Sequence, residues 1–293
     1  MDTNHRRIYD RARCYDVAFG FRDIAAECDT LAALAARHGG RAPASVLELA
    51  AGPARHAREF ARRGVDATAL DAVPAMLELA SQHALREGVA LAAVCADMTD
   101  FALARRFDLA ALLMDSASYL LDNAAVLRHL ACVARHLNDG ALYVLEMSHP
   151  RDTFGVGASN DTQWTTEAEG LRVDMGWGAP GDAFDPVTQV DEVTVSMAWS
   201  GPEGDGRIVE RARQRRFTAN EVDALVRASG EFDLVEWMGS LAPPAPFDNE
   251  RAAWRMVAVL RKRAPGEPAG TAARPAPGRA DARDTPDGVP PVS

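Results

Sequence analysis

The stretch Val46-Leu-Glu-Leu-Ala-Ala-Gly-Pro-Ala-Arg-His56 runs from an apolar strand through a turn of small residues into a helix. Val46, Leu47 and Leu49 supply the buried run. Ala50, Ala51 and Gly52 leave little side chain between backbone and ligand. Pro53 suits a first helical turn, where its missing N–H costs nothing. A backbone bared at a helix N-terminus beside a strand end is where α/β proteins admit cofactors. Glu48 closes this strand, and Asp71 closes a second apolar run 23 residues later. Two carboxylates suit a ligand carrying an amino group and a ribose diol, and they repel a pyrophosphate.

Working outward, the pattern predicts strand 45–49, helix 53–63, strand 66–70, helix 73–86 and strand 90–95. Strand 107–114, helix 123–137 and strand 140–146 follow. Strands alternating with helices imply an α/β fold with a doubly wound, mainly parallel sheet. Ligands in such sheets lie beyond the carboxyl ends of the strands, where Glu48, Asp71, Asp97, Asp115 and His149 fall. Upstream, 8–37 reads as largely helical, with Ile24, Cys28, Leu31 and Ala35 forming one stripe. Between 150 and 216 the period changes to two, in 171–177, 189–199 and 207–217, which predicts three antiparallel strands. Helix 218–229, capped by Thr218 with Glu221 three residues on, then resumes the core, and strands 232–238 and 253–261 finish the sheet.

These signatures resemble those of the class I S-adenosylmethionine-dependent methyltransferases. The family's first signature, acid-x-Gly-x-Gly-x-Gly, stands here as Glu48-Leu-Ala50-Ala-Gly52-Pro-Ala54; the second ends at Asp71, with Met76 in the helix behind it. The third is Cys95-Ala-Asp97-Met98, the fourth spans Phe107 to Tyr119, and the fifth strand ends at Glu146. The match covers 44–149 in order and continues over 217–263. It implies a seven-stranded, Rossmann-like methyltransferase sheet and S-adenosyl-L-methionine as cofactor. It places Ala50 and Gly52 in the cofactor loop, Glu48 facing the cofactor's amino end, and Asp71 with Ala72 at the ribose. Asp97 and Met98 flank the adenine, Met114, Asp115 and Ser116 form a floor beneath the sulfonium, and Tyr15 belongs to a closing N-terminal segment. Because alanine tolerates positive φ poorly, the turn is expected to avoid that region at Ala50 and Ala54.

The resemblance and the pattern together divide the chain into an N-terminal helical lid (1–43), a cofactor-binding core (44–149), an inserted antiparallel lid (150–216), a completion of the sheet (217–263) and a disordered tail (264–293). The tail is dominated by Pro, Gly, Ala, Arg and Asp, which bury too little to offset their ordering entropy. His149 is the candidate base, since its unperturbed pKa lies near neutrality; the other reading is a cap on the turn before Pro150. Tyr119 is the candidate to orient a nucleophile, against simple packing. Trp164, Trp177 and Trp199 either wall an acceptor site or pack the inserted sheet on the core, with packing favoured for Trp199. His56 reads as structural.

Composition narrows the partners. Net charge is −10, with Lys262 the only lysine among 32 basic residues, and no basic run interleaves with aromatics, which disfavours nucleic acid. Apolar runs fall short of the roughly 20 residues a spanning helix needs, and the N-terminus lacks a signal-peptide core. A cytoplasmic protein without a membrane partner is expected. Cys14, Cys28, Cys95 and Cys132 form no Cys-x-x-Cys pair, so neither disulfide nor metal is assigned. The expected activity is methyl transfer to nitrogen or oxygen of a small metabolite, amino acid, short peptide or natural-product intermediate, with a homo-oligomer allowed. The competing readings are a catalytically idle cofactor-binding scaffold and a nicotinamide-dependent oxidoreductase.

Overall fold

The structure, a computed structural model, describes residues 7–155, 161–202 and 204–267. Most of the tail, 268–293, lies outside the described residues. The core strands are β1 (Ser45–Leu49), β2 (Asp66–Asp71), β3 (Ala92–Cys95), β4 (Phe107–Leu112) and β5 (Leu137–Ser148). After an inserted sheet come β11 (Phe232–Leu241), β12 (Pro244–Pro246) and β13 (Arg255–Lys262). Their order is β12-β11-β13-β5-β4-β1-β2-β3. The pairs from β5 to β3 are parallel, and β13 runs antiparallel between β5 and β11. Among the described residues the sheet thus has eight strands rather than seven. The extra one, β12, is a three-residue edge carrying two prolines, which tolerate an edge but not a sheet interior.

Helices cover both faces. On one, α6 (Asn123–Arg135) and α8 (Ala219–Ser229) pack over Leu47, Tyr143, Leu145 and Leu260. On the other, α3 (Ile24–Gly39) and α4 (Arg55–Arg62) enclose Val46, Leu109, Val144 and Val257, with α5 (Pro74–Glu87) beside them. Cys28, Leu31 and Ala35 are buried on α3, as their spacing requires. Asp23 caps that helix through Ala26 N–H, and the Thr218–Glu221 capping box starts α8. The N-terminal helical run is broken: α1 (Arg7–Asp10) and α2 (Ala12–Ala18) are separated from α3 by a link over 19–23.

The insertion is a separate sheet of β6 (Thr162–Ala168), β7 (Leu171–Trp177), β8 (Phe184–Asp185), β9 (Val190–Ser200) and β10 (Gly206–Arg215). Its main order is β10-β9-β7-β6, with β8 paired to β9. The edge strand β6 escapes a period-two reading because Trp164 is its only large apolar residue. Val173, Met175, Val195, Met197 and Ile208 bury the sheet's inner face against Ile8, Cys14 and Ala18. The inserted sheet therefore packs on the N-terminal helices rather than on the core, and Trp199 packs there too. A helix intended to cross a membrane needs about 20 apolar residues; among the described residues no helix is long and apolar enough.

Candidate active site

A cavity of about 950 Å³ opens at the carboxyl ends of β1 to β5, at the upper end of the roughly 300–1,000 Å³ usual for ligand pockets. Ala50, Gly52, Asp71, Ala72, Met76, Asp97, Met98, Met114, Asp115, Ser116, Tyr15 and Tyr119 all line it. Glu48 and His149 do not.

The turn after β1 overturns one expectation. Ala50, Gly52 and Ala54 all adopt left-handed backbone, at φ of 46°, 53° and 54°. An alanine there costs about 1–2 kcal/mol, so the turn needs bracing. Ala51 N–H donates to Leu70 O (3.0 Å), Gly52 N–H to Asp71 Oδ2 (2.7 Å) and Ala54 N–H to Ala51 O (2.8 Å). Pro53 sits within this turn, and α4 begins only at Arg55. Asp71 also accepts from Val73 N–H at 2.8 Å. The Asp71 oxygens thus accept backbone N–H groups from the turn and from the residues that follow β2, and their remaining lone-pair capacity is left for a hydroxyl. Burial raises its carboxyl above the ordinary range, against the lowering pull of those N–H groups. A side chain at Gly52 would stand 3.8 Å from the Tyr15 ring and 3.9 Å from Met76 Sδ, filling the gap between the turn and α2.

Glu48 requires a correction. Only 5% exposed, its carboxylate turns behind the turn, accepting Ala57 N–H at 2.7 Å and meeting His56 Nδ1 at 3.1 Å. Bracing the start of α4 holds it away from any ligand amine. At the far end of the cavity, Asp97 accepts from the Thr99 N–H (2.8 Å) and hydroxyl (2.7 Å). Burial opposes its charge, but these bonds hold its carboxyl below the ordinary range. Buried His129 fixes the neighbouring Met98, whose carbonyl accepts from Nδ1 at 2.8 Å while Nε2 accepts the Tyr143 hydroxyl at 2.6 Å. Desolvation lowers this imidazole to about 4, so it is neutral.

Beneath the middle of the cavity, Met114 and Asp115 are consecutive left-handed residues, at φ of 58° and 62°. Glu146 accepts the Met114 N–H at 3.1 Å; Asp115 accepts from the Ser148 N–H and hydroxyl, both at 2.8 Å. From above, α2 lays Tyr15 over the turn, tied down by Arg55 Nε donating to Asp16 Oδ1 at 2.7 Å. Tyr9 and Tyr119 bring their hydroxyls within 2.5 Å. Burial first, with neighbouring charge, lifts the pKa of both phenols, so each keeps its proton.

His149 is likewise corrected. It is 3% exposed, its Nε2 donates to Asp248 O (2.9 Å), and its Nδ1 accepts Arg151 N–H (3.2 Å). It caps the turn after β5, and burial lowers its pKa. The inserted sheet adds Trp164, Trp177 and Gln214 to the cavity, and Arg216 just beyond β10 joins them. Trp164 Nε1 donates to Ala18 O (2.8 Å) and Trp177 Nε1 to Gln214 Oε1 (3.1 Å). Gln214 and Arg216 were missed in the sequence because they lie in an edge strand and its exit with no local signature. Glu146 could have been read as an acid ending a buried strand.

A search of curated proteins finds no sequence match. Residues 46–140 match the methyltransferase domain family. Among solved structures, the fold is similar to an S-adenosylmethionine-dependent methyltransferase from Clostridium acetobutylicum (16% identity, TM-score 0.70, covering 87% of this chain and 98% of that one). It is also similar to the sugar N-methyltransferase KedS8 from Streptoalloteichus (24%, 0.64, 85% and 93%). A third is the amino pentose methyltransferase CalS10 from Micromonospora echinaspora, solved with S-adenosylmethionine (24%, 0.62, 85% and 96%). At these identities the likeness speaks for the fold, and the match over 46–140 for the chemistry. With five signatures in order at the carboxyl ends of a doubly wound sheet, residues 46–140 match a methyltransferase domain of the class I S-adenosylmethionine-dependent type.

Proposed function

We propose that the protein transfers the cofactor's methyl group to the nitrogen of a small amine held between the cofactor and the inserted sheet. The cofactor's ribose hydroxyls would meet Asp71, its adenine the Asp97–Met98 segment, and its methionyl portion the Ala50–Gly52 turn and the Met114–Ser116 floor. Bound there, the sulfonium supplies an electrophilic methyl.

The observation that carries the acceptor class is the engagement of Arg151, Arg216 and Arg255, three of the four arginines that line the cavity among the described residues; the fourth, Arg128, is exposed on α6 next to His129, at the Asp97–Met98 end. Arg216 donates to Asp191 (2.6 Å), Asp115 (3.3 Å) and Gln214 (3.2 Å), and Arg255 lies 3.2 Å from Glu146. Arg151 donates to the carbonyls of Asn249, Glu250 and Ala253. Trp164 and Trp177 turn their N–H groups to internal acceptors, leaving ring surface for an apolar or cationic molecule. An anionic acceptor gains little from arginines already paired, whereas an amine suits aromatic faces beside Asp115. The sugar N-methyltransferase and the amino pentose methyltransferase share this fold, which accords with an amine acceptor.

No histidine is among the described residues lining the cavity, and its phenols hold their protons. The chain's contribution is therefore positioning and exclusion of water, with the acceptor entering as free amine. Incubation with methyl-labelled cofactor and a panel of amines, acids, phenols and short peptides tests this. Amines should take label, at a rate rising with pH as the ammonium ionises; label confined to carboxylic acids, or to RNA, overturns it.

A further inference from the structure

Five charged side chains form one continuous buried row behind the cavity. It starts at the floor, where Met114 N–H donates to Glu146 Oε2. Arg22 donates from Nη1 to both Glu146 oxygens (2.9 and 3.0 Å) and from Nε to Glu27 Oε1 (2.6 Å). The other Glu27 oxygen meets His56 Nε2 at 2.6 Å, and His56 Nδ1 meets Glu48. Glu48 ends the row by accepting Ala57 N–H in the first turn of α4. None of the five is more than 9% exposed. The row therefore joins the Met114–Asp115 corner to the base of the Ala50–Ala54 turn, and its crossing point, Arg22, belongs to the 19–23 link that follows the lid helix α2.

The geometry fixes the charge of His56. Each ring nitrogen faces a carboxylate oxygen, and a neutral imidazole can donate from only one nitrogen. With both glutamates ionised, the ring is an imidazolium. Three carboxylates (Glu27, Glu48, Glu146) then face three cations (His56, Arg22 and the adjoining Arg255), the balance a dry site requires. Cys28 of α3 also packs on this residue: its thiol donates to the His56 carbonyl and stays protonated because burial pushes it up, while Arg63 and Glu59 bear on Cys28 and Arg58 on Glu48.

We propose that this row is the positioning device of the cofactor site: with Arg22 and His56 as its linking cations, docking of the lid link holds both left-handed segments in their binding shape. Left-handed alanine and methionine persist only where surroundings over-determine them, and the row supplies a brace at each. The proposal rests on the reading that these two segments hold the cofactor. Burial favours the neutral imidazole, but the bonds to Glu27 and Glu48 raise His56 to about 9, in keeping with a permanent cation at neutral pH.

The first measurement uses the unmodified protein: long-range proton–nitrogen NMR of the His56 ring at pH 7 should show both nitrogens protonated. The second is calorimetric binding of S-adenosylhomocysteine to the wild type, Arg22→Met, Arg22→Lys, His56→Gln and the double variant Arg22→Met/His56→Gln. Each of Arg22→Met and His56→Gln should weaken binding roughly ten- to hundredfold, the range for charged hydrogen bonds, and Arg22→Lys should recover part of the loss. The double variant should bind little worse than either single one, because both cations act through Glu27. A bare ring nitrogen at pH 7, or losses that multiply in the double variant, overturns the row alone. No binding by the wild type removes the cofactor reading beneath it.

Discussion

The hydroxyls of Tyr9 and Tyr119 lie 2.5 Å apart, joining the N-terminal helix α1 to the short 3-10 turn (Ser116–Tyr119) beyond β4. Gln214 of the inserted sheet also hydrogen-bonds the Tyr119 hydroxyl. Its carbonyl receives Trp177 Nε1 and Arg216 Nη2. Helix α1, the 3-10 turn and the inserted sheet thus meet at one phenol.

Tyr119→Phe should cost about 0.5–1.5 kcal/mol of stability, the net worth of a hydrogen bond, and reduce turnover through loss of lid closure. The shape of its pH–rate profile between pH 6 and 9 should match the wild type's, since both phenols hold their protons well above that window. Loss of a pH-dependent limb in the variant would instead make Tyr119 a base.

Asp71→Ala should weaken S-adenosylmethionine by about 1.5–3 kcal/mol in calorimetry, the range for hydrogen bonds to a charged group. It also removes the acceptor for Gly52 and Val73 N–H, so the melting temperature should fall in the cofactor-free protein as well. Unchanged affinity would show that the ribose lies elsewhere.

His149→Phe should leave the pH profile of turnover unchanged while lowering the melting temperature. Its ring nitrogens serve Asp248 O and Arg151 N–H rather than the cavity. Disappearance of an ionisation near neutrality from the rate profile would return it to the role of base.

His56 links stability to pH. Its folded-state pKa lies above the unfolded value, so its contribution is complete below about pH 6.5 and is lost as pH rises toward and through about 9. Melting temperature measured from pH 6.5 to 9.5 should fall more steeply in the wild type than in His56→Gln. Parallel curves would show that the ring does not titrate in this range.

Gln214→Leu should raise the KM for the methyl acceptor and leave cofactor affinity near wild type, because Gln214 lines the cavity from the inserted sheet, away from the turn and the ribose acid. A matching loss of cofactor affinity would place Gln214 on the other side of the site.

Local sequence determined which strands and helices alternate and where the acids fall, because hydrophobic period and strand ends are local properties of the chain. Asp71, Asp97 and the Met114–Ser116 segment are legible for that reason: each ends a strand or begins within two residues of a strand's end. Tertiary structure decided which way each side chain turns. Glu48 occupies the expected position, yet α4 and His56 claim its carboxylate from behind; His149 reaches the strand end only to cap a turn. The left-handed backbone at Ala50 and Ala54 was decided by long-range bonds to Leu70 and Asp71 and by a local turn bond, which outweigh alanine's local preference. Arg22, Glu27 and His56 carry no signature at all in one dimension, since their row joins residues up to 124 positions apart. Partner choice among buried charges depends on which ones desolvation forces together, and that is settled only when the chain has packed.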